Sequence, residues 1–193
     1  LPIQWKRIFE LEWQSVCEGS KAIAAVILNE KGEIVSEGRN QISECNVPNP
    51  ATAHAETEAI RNLNISKYPY PKKYTLYAGL EPCIMCMGTL VMGHIRNVVI
   101  AARDVYGGAM YLIDSSEFAK SKGINITWLD NELSDMQRAF QTVRELLYNQ
   151  DINKRNIMLQ DFSVRNKTGV DAAIKYMEDD VINNRELKAI SVE

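Results

Sequence analysis

Two short strings constrain this chain more than anything else in it: TAHAETEAI, which holds His54 and Glu56, and LEPCIMCMG, which holds Pro82, Cys83 and Cys86. One imidazole and two thiols are the donors that zinc takes, and 25 residues separate Glu56 from Pro82. A shared metal would force the two strings into contact, so the fold must deliver both to one place. Cys83 and Cys86 are three apart, and on the first turn of a helix both sulfurs project from one face. Pro82 suits such a start. The partial positive charge of a helix N-terminus, together with a metal, favours the thiolate forms that ligation requires. His54 and Glu56 are only two apart and would diverge on a regular helix. At an opening turn, one then ligates metal while the other faces a substrate.

Three ligands leave the fourth tetrahedral position of zinc open to water, whereas a structural zinc usually has four side chains. Zinc lowers the pKa of bound water from 15.7 toward about 7, and Glu56 is placed to take the proton. Each string alone is weaker: a lone C-x-x-C reads equally as a redox pair or half a zinc ribbon. The competing arrangement is a closed structural zinc with Cys45, nine residues before His54, as fourth ligand, in a noncatalytic binding module. Cys17 falls in an apolar helical pattern as a small buried hydrophobe. His94 follows Gly93 near a helix end, where it meets the C-terminal dipole. Neither enters the site.

A pass along the chain places the strings on elements. Trp5 to Glu18 has an amphipathic helical pattern ending before Gly19. Ala22 to Leu28 and Glu33 to Gly38 read as strands of an antiparallel hairpin, with Asn40 just beyond. QISECNVPNPAT is a loop that delivers His54 to a helix running to about Asn64. After the loop SKYPYPKK come strand Tyr74 to Leu80, helix Cys83 to Met92, strand Asn97 to Ala102, a short helix near Ser115 to Ser121, strand Asn125 to Leu129 and helix Leu133 to Tyr148. This order implies an α/β fold, a mixed sheet covered by helices, with both strings at one sheet edge.

Residues 1–148 thus form one domain and 149–193 a mixed-charge extension of unread role. Within the extension, Val170 to Tyr176 reads as a short helix, and Glu178, Asp179 and Asp180 as a solvated acidic turn.

With 193 residues and 46% hydrophobic content, the chain supports one such domain. The apolar runs Ala22 to Leu28 and Val98 to Ala102 are too short to span a membrane. No signal-peptide pattern is read, and Leu1 in place of Met reads as a trimmed start. Cysteines committed to a metal favour a reducing compartment, so a cytoplasmic location is expected. The formal net charge is −3 and the pI about 5.6, where RNA binders usually present a basic face. Lys67, Lys72 and Lys73 do cluster with Tyr68, Tyr70 and Tyr74, as a base-stacking loop would. A solvated Pro-Tyr-Lys loop is the favoured reading, since lysines are mostly exposed anyway.

H-x-E followed by P-C-x-x-C is the pattern of zinc deaminases, and on these residues the chain resembles the cytidine deaminase-like superfamily. It is similar to the branch containing tRNA adenosine deaminases, guanine deaminases and fungal-type cytosine deaminases, from about Trp5 to Tyr148. The resemblance implies a three-layer α/β/α sandwich with a five-stranded mixed sheet, zinc as metal and a homodimer. It assigns His54, Cys83 and Cys86 as zinc ligands and Glu56 as proton shuttle. Asn40, in EGRN, and the amide of Ala55 match substrate contacts. The implied activity is that of a hydrolase acting on the C–N bonds of cyclic amidines, deaminating an amino-substituted heterocycle.

ATAHAE, LEPCIMCMG and AARD resemble the tRNA enzymes, and HAETEAIR the guanine deaminases. The acidic charge favours a free nucleobase or nucleoside as substrate, with tRNA adenosine as the alternative. Two departures from the tRNA enzymes agree: Ala22 and Ala24 stand where Pro and Gly are common, and the basic terminal helix is replaced by the extension.

Overall fold

The computed structural model describes residues 1–178. Five strands form one sheet in the order β2-β1-β3-β4-β5: β1 Ala24–Leu28, β2 Ile34–Arg39, β3 Thr75–Leu80, β4 Asn97–Ala102 and β5 Asn125–Trp128. β1 pairs antiparallel with both β2 and β3, while β3–β4 and β4–β5 are parallel. The sheet is therefore mixed. All five residues of β1 are buried, as expected of a strand covered on both faces.

Side chains alternate across the pleat and divide the interior in two. Ala25 and Ile27 of β1, Leu76 and Ala78 of β3, and Val98 and Ile100 of β4 pack with α2 (Ala55–Arg61) and α3 (Ile84–Met92). Ala24, Val26 and Leu28 face the other way, against Trp5, Ile8 and Phe9 of α1 (Ile3–Cys17), with Phe140 of α5 (Glu132–Tyr148) packed alongside. Helices on both faces of a five-stranded mixed sheet give the three-layer sandwich.

Gly38 on β2 sets how closely α2 approaches the sheet: a Cβ there would lie 2.2 Å from the Ala55 carbonyl oxygen. α2 ends at Arg61 rather than near Asn64, and its C-cap Asn62 donates its side-chain amide to the Glu37 carbonyl of β2 at 3.2 Å. The helix near Ser115 shrinks to the single turn α4 (Glu117–Lys120), preceded by a 3-10 turn over Met110–Ser115.

The extension departs most from the sequence reading. In place of a short helix over Val170 to Tyr176 there is α6, Ile152–Glu178, 27 residues broken by non-helical dihedrals at Asn166. Phe162, Asn166, Val170 and Ala173 are buried. A Cβ at Gly169 would lie 2.0 Å from the Asp135 carbonyl oxygen, so α6 sits directly on the backbone of α5. The stripe escapes a periodicity search because Ile152, Ile157 and Val164 lie on the solvent side. Asp179 and Asp180 of the expected acidic turn lie outside the described residues. Among those residues, no helix is long and apolar enough to cross a membrane.

Candidate metal centre

The ends of β2 and β3 bring the two strings together. Beyond β2, the Asn40 side-chain oxygen accepts from the Lys21 and Ile42 amides at 3.3 and 3.2 Å. Gln41 N donates to the Ala53 carbonyl at 2.9 Å, and Arg39 pairs with Glu44. These contacts close the loop and return the chain to the sheet edge at His54. His54 takes extended dihedrals as the N-cap of α2, and Cys83 does the same for α3. Both helices thus start at the site, with their positive ends toward it.

Donor atoms of His54, Cys83 and Cys86 all lie within 4.8 Å of one another. Cys83 Sγ is 3.5 Å from His54 Nδ1, and Cys86 Sγ is 3.5 Å from the Thr57 hydroxyl, which also lies 3.5 Å from the Thr89 hydroxyl. Glu56, on the first turn of α2, is 3% exposed. Asn40 and Ala55 are buried beside the loop and at the start of α2, and the Ala55 amide is among the helix-opening N–H groups that lack an intrahelical acceptor.

Proton sharing within the group follows from this packing. A hydrogen bond from Cys86, with further help from His54, pulls the Cys83 thiol well below the ordinary thiol range against the opposing effect of burial. The same Cys83 bond, with burial, pushes Cys86 up. Contact with Cys83 raises His54. Burial raises the Glu56 carboxyl, partly offset by its own backbone amide and by Cys86. The protons held among the three donors are those a metal would displace. Two sulfurs and an imidazole suit zinc, whose bonds of about 2.3 and 2.0 Å require neighbouring donors roughly 3.5–3.8 Å apart. The Cys83–His54 separation of 3.5 Å already meets that.

Cys45 is exposed and stands outside the donor group. Cys17 is half-buried against the cluster of Trp13, Val16 and Ala173. His94 is exposed at φ 62°, just past α3, with its Nδ1 3.3 Å from Arg96 Nη2. Thr57 went unread in the sequence: a threonine after H-x-E carries no pattern of its own, and only the return of α3 brings it to Cys86.

Residues 5–102 match the cytidine and deoxycytidylate deaminase zinc-binding region. The chain belongs to that family. Over 109 residues it is 38% identical to a tRNA-specific adenosine deaminase of Aquifex aeolicus, covering 54% of this chain and 63% of that protein. It is 37% identical over 92 residues to a guanine deaminase of Bacillus subtilis, covering 45% of this chain and 56% of that one. The family member thus spans less than two thirds of the length of either relative. The solved guanine deaminase of Nitrosomonas europaea superposes with a TM-score of 0.56 at 20% identity, over 74% of this chain and 83% of that one, and so shares the fold.

The Lys-Tyr loop is largely engaged with its own neighbours. Lys67 lies over the Tyr68 ring and Lys73 over the Tyr70 ring, at 5.1 and 5.4 Å from the centroids. Lys73 also pairs with Glu30 at 3.2 Å, and Tyr74 is buried.

Proposed function

We propose that this protein is a zinc-dependent hydrolase that deaminates a free nucleobase or nucleoside and releases ammonia, with the activity carried by residues 1–148. The observation behind this reading is the buried Glu56 carboxylate at the opening of α2, beside a three-donor group that has no fourth protein ligand among the described residues. His54, Cys83 and Cys86 hold the metal. Bound zinc supplies the Lewis acidity that makes a water acidic near neutral pH.

Glu56 accepts a proton from the attacking water and passes it to the ring nitrogen beside the amine-bearing carbon. It next helps protonate the leaving amine, so ammonia departs and the ring keeps a carbonyl. Burial suits this work, because a carboxyl raised above its ordinary range both takes and returns protons more evenly near neutral pH. The Ala55 amide contacts the substrate, and Asn40 contacts it through its side-chain nitrogen, since its oxygen is taken by backbone amides.

A small-molecule substrate is supported by the net charge of −3 and by Lys67 and Lys73, already paired with their own loop's rings and, for Lys73, with Glu30. The Aquifex relative favours tRNA adenosine as the second reading. We place the protein in a reducing, cytoplasmic compartment, where the thiols stay available. It works as a homodimer, a state favoured by Ile84 and Met92 of α3, each 66% exposed.

The test is ammonia release by the zinc-loaded protein against guanine, adenine, cytosine, their nucleosides and an adenosine-containing tRNA stem-loop. Turnover of a free base or nucleoside that Glu56→Ala abolishes is the expected result. Turnover of the stem-loop alone moves the protein to RNA editing.

A further inference from the structure

β3 and β4 run parallel and end together, with Leu80 opposite Ala102. Beyond β3 lie Glu81, Pro82 and Cys83; beyond β4 lies the segment from Arg103 to Met110. That segment is fastened to the residues just ahead of Cys83. Asp104 N and Met110 N donate to the two Glu81 carboxylate oxygens at 3.1 and 3.3 Å, and Ala109 N donates to the Pro82 carbonyl at 3.0 Å. Gly108 permits the approach, since a Cβ there would lie 2.3 Å from the Glu81 carboxyl carbon. The segment carries Tyr106, 92% exposed, and leaves the same end of the sheet as the residues that lead to Cys83.

Its other side rests on Arg138 of α5, which is 3% exposed. Arg138 Nη2 donates to the Arg103 carbonyl at 2.5 Å and lies 3.8 Å from Asp104 Oδ1. The guanidinium lies over the Phe162 ring of α6, 4.5 Å from its centroid. Its Nε, fully buried, has no partner among the described residues. The guanidinium is therefore held between the loop and the ring rather than by a full set of its own hydrogen bonds. A planar cation suits that place because it offers a stacking face and a donor fork together, which lysine lacks.

We propose that Phe162 and Arg138 are positioning residues through which α6 sets the Arg103–Met110 loop as a wall of the substrate site. The terminal helix then tunes substrate binding without touching metal or substrate. This rests on the deaminase reading, so the test includes a measurement that needs no turnover.

Phe162→Leu keeps apolar bulk and removes the ring face; Phe162→Tyr keeps the ring. Asp104→Asn weakens the loop's hold on Arg138 from the other side. We expect Phe162→Leu and Asp104→Asn to raise KM by about five-fold or more, five-fold being the scale of a cation–ring contact before the gain from burial, with kcat and zinc content unchanged. Phe162→Tyr should behave as the parent. Hydrogen exchange at Asp104 and Met110 should quicken in the first two variants while α2 and α3 stay protected. Exchange at the loop unchanged in both variants, or quickened equally throughout the molecule in both, overturns the proposal. So does a fall in kcat with loss of zinc. A parent protein inactive on every substrate defeats the deaminase reading alone, and the exchange measurement still decides the coupling.

Discussion

A carboxylate taken out of water beside two thiols is costly unless it is protonated, paired or used, and the His54 imidazole offsets only part of that cost for Glu56. Its neighbours are its own backbone amide, the Cys86 and Cys83 thiols and the His54 imidazole. Glu56→Ala is expected to lower kcat by more than about 10²-fold, the low end for a single acid–base group, because one carboxylate serves several proton transfers. Metal analysis should still find zinc, since the three donors are untouched; loss of metal with activity would make Glu56 a ligand instead. Glu145 of α5 shows the opposite balance. Burial pushes its carboxyl up, but the Lys21 ammonium at 2.5 Å, with Asn149 and Arg144, brings it net below its ordinary value. The unfolded chain therefore binds more protons in that window. The stabilisation is full above the ordinary glutamate value of about 4.3 and is lost as pH falls through the lower folded one. Melting temperatures of the parent and Glu145→Gln should differ at pH 7 and converge toward pH 3. Spacing made His54, Glu56, Cys83 and Cys86 legible in advance, because metal chemistry restricts both residue type and position. Glu145, Thr57 and Glu81 carry no such signature, and their partners are 124, 29 and 23 residues away in the chain.

Helical periodicity made α1 and α5 readable and short apolar or alternating runs the two hairpin strands, and all four fall within a few residues of their expected bounds. What failed was α6, where solvent-side Ile152, Ile157 and Val164 blur the stripe formed by Phe162, Val170 and Ala173. The strand order β2-β1-β3-β4-β5 was also beyond reach, because pairing between distant strands leaves no local pattern. Asn166 explains how α6 stays on α5 despite its break. Its amide donates to the Ser134 hydroxyl at 2.8 Å and to the Asp135 carboxylate at 3.1 Å, holding the kink where Gly169 meets the α5 backbone. Asn166→Leu removes both bonds and leaves the Ser134 hydroxyl without this donor. A hydrogen bond contributes about 0.5–1.5 kcal/mol net and one to a charged group about 1.5–3, so an unfolding free energy lower by about 1–3 kcal/mol is expected in denaturant titration. A variant as stable as the parent would show that the kink is set by packing alone.

At the scale of the molecule, neither interior needs the metal. One apolar cluster lies between the sheet and the α2–α3 layer, the other between the sheet and the α1–α5 layer, and each is continuous without a metal-donor side chain at its centre. The three donors sit instead at helix starts on the rim, two of them as N-caps. A domain organised around zinc unfolds when the metal is withdrawn, because its binding free energy is its folding free energy. Here chelation should abolish ammonia release and leave the far-ultraviolet circular dichroism of the folded chain. Stability should fall only by the linkage amount, about 2.7 kcal/mol for zinc held at 100 times its dissociation constant. For a chain of this size that corresponds to a drop of roughly 5–10 °C in melting temperature. Returning zinc should restore both activity and melting point. Loss of the dichroism on chelation would place the metal inside the folding unit, and the open fourth position would then have to be explained as something other than a site for chemistry.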